Sequence, residues 1–142
     1  MNDTDVVVGV DGSPSSKAAL RWALDQARLT KARLRAVIAW EVPTFTGWGA
    51  GAHQDFGAAA GKLLGESVRE ALGYDPPPDV EVLEVVLPGH PAQVLIDQSA
   101  HAALLVVGSR GHGGFAGTLL GSVSQLCLQH AHCPVLVVRG KR

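Results

Sequence analysis

Val6-Val7-Val8-Gly9-Val10-Asp11-Gly12-Ser13-Pro14 decides how the rest of the chain reads. Its first five residues are a β-branched run broken by one glycine, which suits a short buried strand. Asp11-Gly12 is turn chemistry. Ser13 is a good helix N-cap, and Pro14 suits the first helical position. A strand therefore passes through a tight turn straight into a helix. Along that helix Ala19, Trp22, Ala23, Gln26 and Ala27 recur at helical spacing, which places Trp22 in the core.

The same unit recurs down the chain. Residues 34–40 form a second strand. Residues 42–54, with Gly, Thr and Trp48, read as a loop. Ala60, Leu63, Leu64, Ser67, Val68, Ala71 and Leu72 mark a second helix, stopped by Gly73 and the prolines at 76–78. Residues 80–87 form a third strand, and Glu81 and Glu84 within it suit a sheet edge. Pro91 opens a third helix with Ala92, Leu95, Ile96, Ser99 and Ala100 as its buried stripe. Residues 104–107 form a fourth strand. A glycine-dense loop follows, then a helix expected over 118–129, then a last strand, Val135-Leu136-Val137-Val138. Apolar strands alternating with helices predict an α/β fold, a parallel sheet covered on both faces with right-handed crossovers.

Size and charge fit that reading. The chain has 142 residues, 46% hydrophobic and 18% charged, with a formal net charge of −1. One domain of this size buries roughly 70% of its unfolded surface; two would each be too small for a good core. The even charge leaves no basic footprint for nucleic acid. Aromatics are 5%, too few for platforms that stack single-stranded bases. The acidic opening and the short apolar runs predict neither a secretory signal nor a membrane span. Cys127 and Cys133 are too few for a disulfide scaffold. A cytoplasmic protein with reduced thiols is expected, with no nucleic-acid or membrane partner.

Glycine is in excess: 17 residues, about 12% against a usual ~7%. Six of the 17 fall between Gly108 and Ser124. In parallel sheets ligands bind beyond the carboxyl ends of the strands, where the strand order reverses. Both Gly9-Val10-Asp11-Gly12-Ser13 and the 108–124 stretch sit at such ends. Glycines let backbone N–H groups surround phosphate oxygens, and the next helix adds its N-terminal donors. Ser122 and Ser124 add hydroxyls. A plain flexible turn is the competing reading of this loop.

Other phosphate motifs fit poorly. No Gly-Lys-Ser/Thr occurs, so there is no P-loop. Gly111-x-Gly113-x-x-Ala116 matches the dinucleotide pattern only formally, because no acid follows at the right distance. A different spacing is present: Gly108-x2-Gly111-x9-Gly121-Ser122.

Here the sequence resembles the universal stress protein family, whose ATP-binding members carry G-x2-G-x9-G-[ST]. The resemblance spans nearly the whole chain. Val7-Val8-Gly9-Val10-Asp11-Gly12-Ser13 resembles the family's opening strand and turn. Leu104-Leu105-Val106-Val107-Gly108-Ser109-Arg110-Gly111 and Leu119-Leu120-Gly121-Ser122-Val123-Ser124 resemble its central signature, and Cys133-Pro134-Val135-Leu136-Val137-Val138 its last strand. The resemblance implies one domain over 1–142, Rossmann-like in the adenine nucleotide alpha hydrolase-like manner, with strand order 3-2-1-4-5. It implies that ATP binds, accompanied by Mg2+, with cAMP or another adenine nucleotide as the alternative.

Roles follow from the resemblance. Asp11, with Gly9, Val10 and Gly12, would lie against the adenosine, and Asp11 is the candidate for an indirect Mg2+ contact. Ala39 would touch the adenine. Val107 and Gly108 would approach the ribose. Gly111, Gly121, Ser122, Val123 and Ser124 would hold the phosphates, with Ser109, Arg110, His112 and Gly113 as loop neighbours. The resemblance also implies a homodimer through the last strand, Val135, Leu136, Val137 and Val138. An uncharged β-branched edge invites pairing with a copy of itself.

Several residues have plainer readings. Asp11 suits a turn as well as a ligand. Cys127, His130, His132 and Cys133 have zinc-like spacing, yet the first two lie on a predicted helix and Pro134 restricts the turn, which favours structure over metal. Ser122 or Ser124 as a nucleophile would need a placed base, and no G-x-S-x-G elbow occurs. Trp40, Trp48 and Phe56 are candidates to wall an adenine pocket. Three functions remain open beside an ATP-binding, dimeric stress-response regulator: a cAMP-binding regulator, a slow ATPase with Arg110 as its one loop cation, and a nucleotide-free interaction module.

Overall fold

The computed structural model describes residues 4–41, 51–75, 77–110 and 120–139. Its elements alternate as β1 (Val6–Gly9), α1 (Pro14–Thr30), β2 (Leu34–Trp40), α2 (Gly51–Leu72), β3 (Val82–Pro88), α3 (Pro91–Ser99), β4 (Leu104–Gly108), α4 (Ser122–His130) and β5 (Val135–Val138). The five strands form one sheet in the order β3-β2-β1-β4-β5. Every neighbouring pair is parallel. The expected fold class and strand order are therefore both found, with the charged strand β3 at one edge and β5 at the other.

Alternation along the strands divides the core in two. Val6, Val8, Leu34, Ala36, Ile38 and Val106 point to one face, beneath α1 and α2. Val7, Val37, Leu105 and Val107 point to the other, against α3 and Cys127 of α4. The chain thus winds α1 and α2 onto one face and α3 and α4 onto the opposite one.

Helix α1 starts as its sequence predicts. Ser13 Oγ accepts from the Ser16 N–H at 3.2 Å, and Pro14 occupies the first turn. Its buried stripe is Ser16, Ala19, Leu20, Ala23 and Ala27. Trp22 is 52% exposed, contrary to expectation. Each helical step turns about 100°, so Trp22 lies a quarter-turn and more from the line through Ala19, Ala23 and Ala27. Small alanines bring α1 close to the sheet and leave no room there for an indole.

Helix α2 begins at Gly51, so the expected loop over 42–54 gives way to helix in its last four residues; 42–50, Trp48 included, lie outside the described residues. Gly57, Gly61 and Gly65 recur every fourth residue and form one line along α2. A Cβ on Gly57 would meet the Trp40 ring at 3.3 Å, one on Gly61 would meet Val86 at 3.7 Å, and one on Gly65 would lie 3.6 Å from the Glu84 carboxylate. The glycine line therefore lies over β2 and the edge strand β3. Three of the eleven glycines outside 108–124 thus serve helix–sheet packing.

At the amino end of the sheet sits a buried ion cluster. Asp5 is fully buried, and its carboxylate accepts from Arg33 Nε at 3.0 Å, Arg33 Nη2 at 2.9 Å and Arg35 Nη2 at 3.0 Å. Arg35 also donates to Gln98 of α3. Burial would push the Asp5 carboxyl up, but the hydrogen bonds and charges of the two arginines together outweigh it and hold the group below its ordinary value. The cluster ties β1, β2 and α3 together at the end remote from the glycine motif.

Candidate functional site

β1 and β4 are central neighbours, and the chain leaves their carboxyl ends toward opposite faces, into α1 and α4. This is the topological switch point of an open α/β sheet, where a crevice forms. Two arms frame it: the β1–α1 turn and the β4 exit leading to α4.

The first arm is a self-bonded turn. Gly12 has φ +84°, a conformation glycine adopts without strain. Asp11 Oδ1 accepts from the Ser13 N–H at 2.9 Å, an Asx turn, so one carboxylate oxygen holds the turn. The Asp11 N–H donates to Ser16 Oγ at 3.3 Å. Leu63 of α2 leans over Gly12, where a Cβ would meet its Cδ1 at 2.9 Å. Gly9 is set against Leu95 of α3, whose Cδ1 would lie 2.6 Å from a Cβ there. Val10 is buried in the α1/α2 core.

The second arm is stitched to its surroundings. The Ser109 N–H donates to the Val138 carbonyl at 2.7 Å, and the Gly121 N–H donates to the Ser109 carbonyl at 2.7 Å. Ser124 Oγ donates to the Gly108 carbonyl at 2.5 Å. Helix α4 thus starts at Ser122, not at 118, with Gly121 in extended conformation as its N-cap. Leu120 precedes the cap and is not helical. The strand-end carbonyls of Gly108 and Ser109 capture the chain at 121–124 and fix where the helix begins. A Cβ on Gly108 would lie 2.7 Å from the Ser15 carbonyl carbon, so Gly108 admits the first turn of α1.

The helix starts differ in chemistry. α1 is capped by Ser13 and α3 by His90, whose Nδ1 accepts from the Ala92 N–H at 3.2 Å. Gly121 brings no side-chain acceptor. The first amides of α4 therefore receive nothing from their own cap residue, and they sit at the positive end of the helix dipole. Such an end favours an anion.

The remaining expected residues are placed as follows. Ala39 and Trp40 end β2, half-buried, with Gly57 over the Trp40 ring. Phe56 is half-buried on α2. Val107 is buried and Val123 half-buried in the α3/α4 core. Ser122 and Arg110 are exposed, Ser109 and Ser124 buried. Gly111, His112 and Gly113 lie outside the described residues. Ser124 spends its one hydroxyl proton on Gly108, which gives it a structural task at the edge of the crevice.

The sequence did not single out Ser15 or Ser16, although one joins the two arms and the other braces the turn. Ser15 Oγ donates to the Arg110 carbonyl at 2.5 Å across a separation of 95 residues. No local pattern announces a partner so far along the chain.

Two members of the zinc-like quartet have evident packing or hydrogen-bonding surroundings. Cys127 is fully buried in the α3/α4 core, and burial pushes its thiol up to about 11. The His132 N–H donates to Ser99 Oγ at 2.9 Å, tying the turn before β5 to α3. Among the described residues no group of three or more His, Cys, Asp and Glu could hold a metal ion. Among them, too, no helix is long and apolar enough to cross a membrane.

A profile of the universal stress protein family matches residues 4–139. The chain belongs to the universal stress protein family. It is similar to Universal stress protein Rv2005c of Mycobacterium tuberculosis, 43% identical over 138 residues that cover 94% of this chain and 45% of the relative. The chain thus spans about half the length of the curated relatives it matches. It is also similar to a universal stress protein crystallised in complex with cAMP, at 28% identity and TM-score 0.66, covering 99% of this chain and 100% of that one. Universal stress protein UspA from Lactobacillus plantarum shares the fold at TM-score 0.76 and 21% identity, covering 98% of this chain and 99% of that one.

Proposed function

We propose that this universal stress protein domain binds an adenine nucleotide in the crevice between the β1–α1 turn and the β4 exit, and acts as a regulatory binding protein. The observation that carries this reading is the start of α4. Its glycine cap supplies no acceptor, and it is fastened to the strand ends at the switch point. The similar protein crystallised with cAMP supports an adenine nucleotide as the ligand class.

ATP is the ligand put first, because the spacing Gly108-x2-Gly111-x9-Gly121-Ser122 is intact. On this reading Asp11, Gly9, Val10 and Gly12 lie on the adenosine side, with Ala39 at the base and Val107 and Gly108 at the ribose. Gly111, Ser122 and Val123 offer backbone donors to phosphate, Gly121 leaves room for its approach, and Ser109, Arg110, His112 and Gly113 flank them. Ser124 stands behind them as a brace. With net charge −1, phosphate is held by amides rather than a basic cluster. A Mg2+ ion would enter with the nucleotide, near Asp11. Slow hydrolysis at the same site, with Arg110 as its cation, is the competing reading.

The protein acts as a homodimer through β5. That strand is an edge, and Val135, Leu136 and Val137 are only half-buried in the single chain. Leu126 and Leu128 on the preceding helix are exposed at 36% and 47%.

The test is to denature freshly purified protein and identify the released small molecules by mass spectrometry. ATP supports the reading in full. cAMP supports the site and replaces the ligand. If none is released and calorimetry with ATP, AMP and cAMP gives no heat of binding, the domain is an interaction module.

A further inference from the structure

The two arms of the crevice belong to chain segments nearly a hundred residues apart, yet one side chain joins them. Ser15, in the first turn of α1, is 6% exposed. Its Oγ donates to the Arg110 carbonyl at 2.5 Å and lies 3.4 Å from the Arg110 N–H, which donates to it. Ser13 Oγ, the cap of α1, lies 3.5 Å from the same atom. The hydroxyl is thus engaged by both peptide groups of Arg110 while standing beside the helix cap.

Backbone contact reinforces the junction. Gly108 has no Cβ, and one there would meet the Ser15 carbonyl carbon at 2.7 Å. The first turn of α1 therefore rests directly on the end of β4. Gly108 allows the approach, and the Ser15 hydroxyl fixes its distance and direction.

We propose that Ser15 is a positioning residue that sets the width of the nucleotide crevice and so couples its adenosine side to its phosphate side. This rests on the nucleotide reading above and deepens it. Ser15 acts through the Arg110 backbone and does not itself touch ligand. A nucleotide spans both arms, so its affinity depends on their spacing. Adenosine engages the first arm and, at its ribose, reaches no farther along the second than Gly108, ahead of the Arg110 peptide that Ser15 holds, so it is far less sensitive to that spacing. Removing the hydroxyl leaves the arms to find their distance at the ligand's expense, which lowers affinity for the spanning ligand alone.

The experiment compares wild type with Ser15→Ala by calorimetric titration with ATP and with adenosine, after removal of bound nucleotide. Ser13 still caps α1 in the variant, so it folds, which thermal melting verifies. ATP affinity is expected to fall about tenfold, the worth of one well-placed hydrogen bond, while adenosine affinity stays within about twofold. Hydrogen exchange at the Arg110 amide is expected to speed up. His90→Ala is the control: it removes the cap of α3 and lowers the melting temperature without changing the ATP-to-adenosine ratio. Equal losses for ATP and adenosine, or unchanged ATP binding whatever the Arg110 exchange rate, would overturn the proposal and leave the nucleotide reading standing. Wild-type protein that binds neither ligand would overturn both.

Discussion

The hydroxyl of Ser124 donates to the carbonyl of Gly108 at 2.5 Å. This bond ties the first turn of α4 to the last residue of β4, across the 16 positions that hold the glycine motif. It also explains why α4 begins at Ser122 rather than farther back. Ser124→Ala leaves the Gly108 carbonyl without this partner, in a setting where Ser124 is only 3% exposed. The expected cost is about 1–3 kcal/mol. Urea denaturation should show a lower midpoint with an unchanged slope.

Asp5 lies between two guanidinium groups with no exposure of its own. Asp5→Ala leaves Arg35, itself 8% exposed, without its carboxylate. Removing one partner of a buried pair costs about 3–5 kcal/mol. The same group sets an acid limit. Its folded pKa lies below its unfolded one, so its stabilisation is complete above the ordinary carboxylate value of about 4. It is lost as pH falls through that value and on toward the lower folded one. Chemical denaturation across the range from neutral to strongly acidic pH should show wild type losing this increment and Asp5→Ala lacking it throughout.

The glycine line on α2 makes a graded prediction. At Gly61 the nearest atom to a new Cβ is Val86 Cγ2 at 3.7 Å, an ordinary contact. Gly61→Ala should stabilise by about 0.5–1 kcal/mol through helix propensity. At Gly57 the Trp40 ring stands at 3.3 Å. There crowding offsets the propensity gain, and Gly57→Ala should be neutral or destabilising. Thermal melting of the two variants gives the order.

The dimer proposal rests on the open side of β5. The Leu105 N–H donates to the Pro134 carbonyl and the Ser109 N–H to the Val138 carbonyl. Parallel ladders alternate, so the peptide groups of Val135 and Val137 face away from β4. Val137→Pro removes one outward N–H while leaving the β4–β5 ladder its bonds. Sedimentation should find wild type dimeric and Val137→Pro monomeric with its fold intact.

Local patterns carried most of the architecture. β-branched runs such as Val6-Val7-Val8, the Ser13-Pro14 cap, and Glu84 on the edge strand each encode a nearby consequence. Positions decided by distant partners were not legible. Trp22 sits at a helical spacing that a broad stripe would bury, but the alanine face of α1 is narrow. The start of α4 depends on strand-end carbonyls, not on Thr118. The Asp5 cluster joins residues 28 and 30 positions apart. Ser15 looks like one more serine in Ser13-Pro14-Ser15-Ser16 until Arg110 is beside it. The glycines divide likewise: a motif spacing marks Gly108 and Gly121, but only the neighbours reveal that Gly108 admits α1 and that Gly57, Gly61 and Gly65 admit the sheet.

The most direct test of the central claim is the calorimetric affinity for ATP of Gly121→Val beside wild type, both stripped of ligand. Gly121 has φ −73° and ψ 165°, which valine adopts without backbone strain, and thermal melting verifies that the variant is folded. A side chain there would block close approach of phosphate to the first amides of α4. The account predicts saturable binding by wild type and none by the folded variant. Equal ATP affinity in the two proteins would contradict it.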